Sequence, residues 1–132
     1  MADFIGAKLL LMRGDCLLTL LRDNFAHIPF PGHWDLPGGG PEGDETPIAC
    51  ALRELAEEFG LSPDPSRLAA HRFGADDRPA WLFSGTLTDA DIAAIRFGDE
   101  GQEWRLMPVA EFIAHPRAVP AFRDRVRQVI HG

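Results

Sequence analysis

Residues 24–43 constrain this chain more than any other stretch. Pro29, Pro31, Pro37 and Pro41 share it with the triplet Gly38-Gly39-Gly40 and with several aromatic side chains. Proline fixes φ and removes a backbone donor, and glycine frees the backbone, so no regular helix survives that composition. A strong helix signal follows at once, over 46–60. Thr46 suits the N-cap, Pro47 the first helical position, and Gly60 the position just past the end. Ile48, Ala51, Leu52, Leu55 and Phe59 recur at helical spacing and define a buried face. Ser62-Pro63-Asp64-Pro65 then forbids continuation. An irregular Gly/Pro loop therefore feeds directly into an amphipathic helix.

Around this unit the chain alternates strand and helix patterns. Apolar runs at 4–12 and 16–22 flank Arg13-Gly14-Asp15, which reads as a hairpin. Residues 67–73 and 79–87 read as strands around Asp76-Asp77-Arg78, and a short helix is expected at 89–95, capped by Thr88 or Asp89. A strand at 103–107, a short helix at 109–114 and a last helix near 119–130 complete the pattern. Mixed elements without a repeat give an α/β or α+β class, a sheet with helices packed on it. A length of 132 residues predicts one domain over 1–132 with an ordinary core.

Charged residues make 25% of the chain and hydrophobic ones 45%, which excludes a disordered sequence. No apolar run approaches the roughly 18 residues of a membrane span. Asp3 and Lys8 around the first apolar stretch fit neither a signal nor a transit peptide, so the expected location is the cytosol and no membrane partner is expected. The net charge is −7 with no basic stripe, so nucleic acid is not the expected partner. The basic residues Arg117, Arg123, Arg125 and Arg127 are expected on the solvated face of the last helix. Cys16 and Cys50 are expected to be reduced, buried small residues.

The chemistry lies on the polar face of the 46–60 helix. Glu54, Glu57 and Glu58 stand at i, i+3 and i+4, a spacing that sets like charges side by side. They also occupy the last two turns, where the helix dipole disfavours anions. A helix built only for stability would carry Lys or Arg there, so the triplet points to function. A hard divalent cation, which prefers carboxylate and carbonyl oxygen and binds substrate phosphates, is the natural compensation. Pairing of Arg53 with Glu57 on a solvated acidic face is the plainer alternative. The glycines upstream offer a carbonyl to a cation or an amide to a phosphate.

Loop and helix together fill one long pattern. From Gly39 run five residues, Glu45, seven residues, then Arg53-Glu54-Leu55-Ala56-Glu57-Glu58-Phe59-Gly60-Leu61. This resembles the Nudix box at every fixed position, and the approach Trp34-Asp35-Leu36-Pro37-Gly38-Gly39 is similar to that of the family. The resemblance implies an α/β/α sandwich with a mixed sheet and hydrolysis of a diphosphate linked to another moiety, with Mg2+ or Mn2+. It implies a catalytic group of Arg53, Glu54, Glu57 and Glu58. Glu57 and Glu58 would ligate metal, Glu54 would be a ligand or the base, and the Gly39 carbonyl would be a further ligand. Glu45 and Arg53 would form a salt bridge that holds loop to helix. Many family members add a glutamate from a later loop; Glu100 is the first choice here and Glu103 the second.

For the substrate, Trp34 is the stacking candidate nearest the box, while Phe30, Phe73, Trp81 and Phe83 are expected mainly in the core. Arg22 and Arg72 are candidates for phosphate or ribose. The chain has no tyrosine, against the family's dinucleoside polyphosphate hydrolases, and the proline typical of its ADP-ribose pyrophosphatases is displaced to Pro79. By resemblance the expected activity is a (deoxy)nucleoside triphosphate pyrophosphohydrolase, with oxidised nucleotides among the candidates. An ADP-ribose or nucleotide-sugar pyrophosphatase and a non-catalytic nucleotide sensor are the alternatives. A nucleotide-type small molecule is the expected partner, and a monomer or homodimer the expected state.

Overall fold

The computed structural model describes residues 2–132. Seven strands, β1 (Gly6–Arg13), β2 (Cys16–Leu21), β3 (Trp34–Asp35), β4 (Gly38–Gly39), β5 (Ala69–Gly74), β6 (Pro79–Thr86) and β7 (Glu103–Pro108), form one mixed sheet. The helices are α1 (Pro47–Phe59), α2 (Asp89–Ala93), α3 (Val109–Ala114) and α4 (Pro120–His131). A single 3-10 turn at Pro65–Arg67 precedes β5, which shortens the strand expected from residue 67. Gly14 takes φ +62° in the two-residue connection between β1 and β2, a conformation glycine adopts without steric cost.

β1 runs parallel to β6 from Gly6 opposite Ala80 to Met12 opposite Thr86. On its other side it meets β2 only at Met12–Leu17 and Arg13–Cys16, after which the two strands part. The widening gap is filled by the Gly/Pro loop. Its β3 pairs with the far end of β2 and its β4 with the start of β1. The loop thus contains no helix but does contain two short strands, because the parted edges of β1 and β2 need partners. β7 lies along the whole of β2 on the opposite side.

Alternation along β1 sends its side chains to two cores, so the strand reads as a continuous apolar run. Leu9 and Leu11 pack with Ala51, Leu55 and Phe59 of α1. Leu10 packs with Leu36, Phe112 of α3 and Val126 of α4. The sheet is therefore sandwiched between α1 and the α3–α4 pair, the α/β/α architecture expected. Cys50 is fully buried, whereas Cys16, expected in the core, is only half-buried because it sits at the hairpin turn; both are free thiols. No helix among the described residues is long and apolar enough to cross a membrane.

Candidate active site

The site is assembled at the two ends of α1. At the start, the Thr46 side chain accepts from Ala49 N and Pro47 occupies the first turn. At the end, Gly60 turns left-handed at φ +68°. The last carbonyls of a helix lack intrahelical partners. Here Arg96 N donates to Phe59 O and Gly98 N to Glu58 O, both at 2.9 Å. A Cβ on Gly98 would lie 2.5 Å from Glu57 O, so only glycine permits this approach. The docking carries Asp99 and Glu100 to the acidic end of α1.

The three box glutamates stand in three different environments. The Glu57 side chain is 58% exposed and Glu54 18%. Glu58 is buried, at 8% of its full exposure, and Gly38 N donates to its Oε1 at 2.8 Å. Burial pushes the Glu58 carboxyl up to about 8, against the pull of the Gly38 amide and of Lys8. Gly38 is fixed twice: its φ is +124°, and a Cβ would lie 2.2 Å from Ala7 O. The amide that meets Glu58 is thus presented by a backbone only glycine can adopt.

Arg53 ties loop to helix, as its position in the box implies. Its Nε donates to Glu45 Oε2 at 2.7 Å, Nη2 to Glu45 Oε1 and Gly40 O at 3.0 Å, and Nη1 to Glu54 Oε1 at 2.9 Å. The expected contact with Glu57 is longer, at 3.3 Å. Hydrogen bonding to Arg53 holds the Glu45 carboxyl below its usual range, and the same bonds raise Arg53.

A cleft of about 510 Å³ opens where β1 and β2 part, lined by Gly38, Gly39, Glu54, Glu58 and Glu100 on one side and by Arg22, Asp23, Phe25 and Ile28 on the other. A contiguous hollow of about 200 Å³ is lined by Glu57, Glu58, Asp99 and Glu100. Glu100 lines both. Glu103 lines neither; it begins β7, opposite Leu21. Arg22 reaches the cleft wall, but its guanidinium donates to Asp35 Oδ2 and Pro29 O, both at 2.9 Å. Arg72 and Trp34 are not brought there. Arg72 pairs with Asp76 beyond the end of β5, and Trp34 is buried against His115 and Arg105. Lys8 and Asp35 are the site residues that motif reading passed over. Lys8 Nζ donates to Asp35 Oδ2, Leu36 O and Gly38 O at 3.0–3.2 Å and so pins the loop to β1. A lone lysine inside the apolar run 4–12 is the signal that could have found it, because a buried ammonium needs partners.

The donor set suits a hard divalent cation. All candidate ligands are oxygens. A Cβ on Gly39 would lie 2.7 Å from Glu54 Cδ, so the bare glycine keeps the space before that carboxylate open. The Gly39 carbonyl lies opposite Ala7 in the β1–β4 ladder and also meets the Cys50 thiol at 3.5 Å; a carbonyl oxygen has two lone pairs. Among the described residues no three His, Cys, Asp or Glu side chains are gathered tightly enough to hold an ion as they stand. Arg53 holds Glu54, and the Gly38 amide holds Glu58, so loading requires side-chain movement.

Comparison with known proteins bears on the family and the fold. The NUDIX domain family matches residues 5–129. An RNA pyrophosphohydrolase of Roseobacter denitrificans is 27% identical over 91% of this chain and 83% of its own length. One from Erythrobacter litoralis is 31% identical over 75% of this chain and 71% of its own. Among solved structures, the MutT protein of Methanosarcina mazei superimposes with a TM-score of 0.75, at 22% identity over 96% of this chain and 93% of that one. The NUDIX domain of Shewanella oneidensis NrtR, solved with ADP ribose, gives 0.69 at 19% identity, covering 98% of this chain and 90% of that one. At those identities the structures speak to the fold alone. With the box complete and the family matching nearly the whole chain, this protein belongs to the Nudix family and is a hydrolase acting on diphosphate bonds.

Proposed function

We propose that the chain is a metal-dependent nucleoside triphosphate pyrophosphohydrolase. The observation that carries this reading is the meeting of Gly39, Glu54, Glu58 and Glu100 in one cleft, with Glu57 at its acidic edge. In this reading Glu57, Glu58, Glu100 and the Gly39 carbonyl would hold Mg2+ or Mn2+, with Glu54 a further ligand or the base. These residues would thereby bring to the diphosphate the charge neutralisation and the acidified water that such an ion supplies when bound. Arg53 keeps Glu54 aimed into the cleft, and Glu45 anchors Arg53 to the loop. As base, Glu54 would take a proton from an attacking water, its mostly covered carboxylate being aligned by Arg53. Glu58 is the ligand that neutralisation by a cation helps most, since its buried charge is otherwise unfavourable.

Turnover of nucleoside triphosphates, read as phosphate or pyrophosphate release, and of ADP-ribose and NADH, read as AMP formation, with Mg2+ and with EDTA, tests the reading. Metal-dependent release from triphosphates supports it. AMP formation only from ADP-ribose or NADH overturns the triphosphate assignment while keeping the chemistry, and silence in folded protein overturns both. The two RNA pyrophosphohydrolases that match most of the chain favour a second reading, attack on the 5′-triphosphate of RNA. A triphosphorylated oligonucleotide in the same panel separates it: turnover much faster than on GTP or ATP would select it.

A further inference from the structure

Glu100 stands in residues 94–102, the connection from α2 to β7. Its side chain is exposed and has no hydrogen bond or ion pair among the described residues, so the backbone on either side sets where it stands. Before it, the Gly98 amide is held by Glu58 O of α1. After it, the anchor is the end of β2. The Gly101 amide donates to Asp23 Oδ2 at 3.1 Å. The Gln102 amide donates to Leu21 O and Gln102 Nε2 to Arg22 O, both at 2.8 Å. A Cβ on Gly101, whose φ is +89°, would lie 3.1 Å from Leu21 O, so the chain here is pressed onto the strand end.

These three bonds differ in what the sequence contributes. The bond from the Gln102 amide runs on from the β2–β7 ladder, where Leu21 stands opposite Glu103, and main-chain atoms alone make it. The Gly101 amide is the donor next to Glu100, and its acceptor is a side chain. Asp23 is half-buried and lines the same cleft as Glu54, Glu58 and Glu100. Its own backbone is fixed, because its main-chain oxygen accepts from Gly32 N at 3.0 Å and closes the neck of the Gly/Pro loop. Without the Asp23 carboxylate the partly covered Gly101 amide loses its acceptor, and the chain beside Glu100 is free to turn it toward water.

We propose that Asp23 is a positioning residue of the metal site: by accepting from the Gly101 amide, it holds Glu100 at the hollow shared with Glu57 and Glu58. Groups that orient a metal ligand set much of its affinity, although they never touch the ion. The role belongs to the acceptor oxygen of Asp23, not to its charge. The inference rests on the reading of Glu100 as a metal ligand.

Titration of the full chain with Mn2+, followed by the EPR signal of the free ion, tests it without turnover. Asp23→Ala should weaken Mn2+ binding roughly tenfold, the low end of the range for groups that orient metal ligands. Asp23→Leu, which keeps the volume without the acceptor, should do the same; melting curves confirm that each variant is folded. Asp23→Asn drops the charge but keeps an oxygen for the Gly101 amide, and should bind within about twofold of the parent. Glu100→Gln should weaken binding at least as much as Asp23→Ala. Adding Asp23→Ala to it should cost less than about a further twofold, because both changes remove the same contact. Unchanged Mn2+ affinity in folded Asp23→Ala and Asp23→Leu, a loss in Asp23→Asn as large as in Asp23→Ala, or additive losses in the double variant would each overturn the proposal. The ligand reading fails separately. Parental affinity in Glu100→Gln removes Glu100 from the metal site and the proposal with it, whereas a loss in Glu100→Gln beside an unchanged Asp23→Ala removes the positioning role alone.

Discussion

Glu58→Gln should make the metal-free protein more stable and the enzyme inactive. The buried Glu58 carboxyl is raised to about 8 from an ordinary 4.5. Its folded-state pKa lies above its unfolded one, so between those values the folded chain binds the extra proton. The contribution of this one group to stability is then greatest below about pH 4.5 and falls by roughly 1.4 kcal/mol per pH unit until the proton is lost near pH 8. Over that window the charge costs roughly 3–5 kcal/mol. Glutamine keeps an oxygen for the Gly38 amide, now 2.8 Å from Oε1, and removes the charge. In EDTA at pH 8.5 the variant should therefore exceed the parent by roughly 3–5 kcal/mol, or about 10–15 °C in Tm for a chain of this length. At pH 4.5 the two should agree within about 1 kcal/mol. Urea melts at pH 4.5, 7 and 8.5 measure this directly. Mg2+ should narrow the gap at pH 8.5 by stabilising the parent alone, while turnover of the variant falls by orders of magnitude. A variant less stable than its parent at pH 8.5, or a gap independent of pH, would refute the argument.

Arg53→Ala should lower both Tm and turnover, because one side chain holds Glu45, Glu54 and the Gly40 carbonyl; a thermal melt and an initial-rate assay check it, and loss of activity alone would mean that the loop is held without the salt bridge. Gly39→Ala places a methyl 2.7 Å from Glu54 Cδ, the far end of a flexible side chain, so kcat should drop at least tenfold with the fold kept by circular dichroism. Glu100→Gln should weaken Mg2+ activation, seen as a higher half-saturating concentration, whereas Glu103→Gln should leave it unchanged, since Glu103 lines neither hollow of the site.

The local structure on which the site is built follows from neighbouring residues along the chain. Thr46, Pro47 and Gly60 bound α1, and its apolar spacing orients it on the sheet; these are short-range effects written within a few residues. The resemblance to the Nudix box pointed to the carboxylates and to the Arg53–Glu45 pair, and that pair is formed. Features that depend on distant chain segments emerge only when the sheet and helices pack together. Glu54, Glu57 and Glu58 look equivalent at i, i+3 and i+4, yet only Glu58 is buried, because the parting of β1 from β2 brings Gly38 against it. Glu100 rather than Glu103 reaches the cleft because Arg96 and Gly98 satisfy the last carbonyls of α1. Trp34 left the list of cleft residues by packing into the α3–α4 core, and Arg125, expected on the solvated face of the last helix, is half-buried beside Phe73 and Phe122. Helix ends and box spacing are local in the chain, whereas burial and the filling of a gap between strands are set by how the sheet splays.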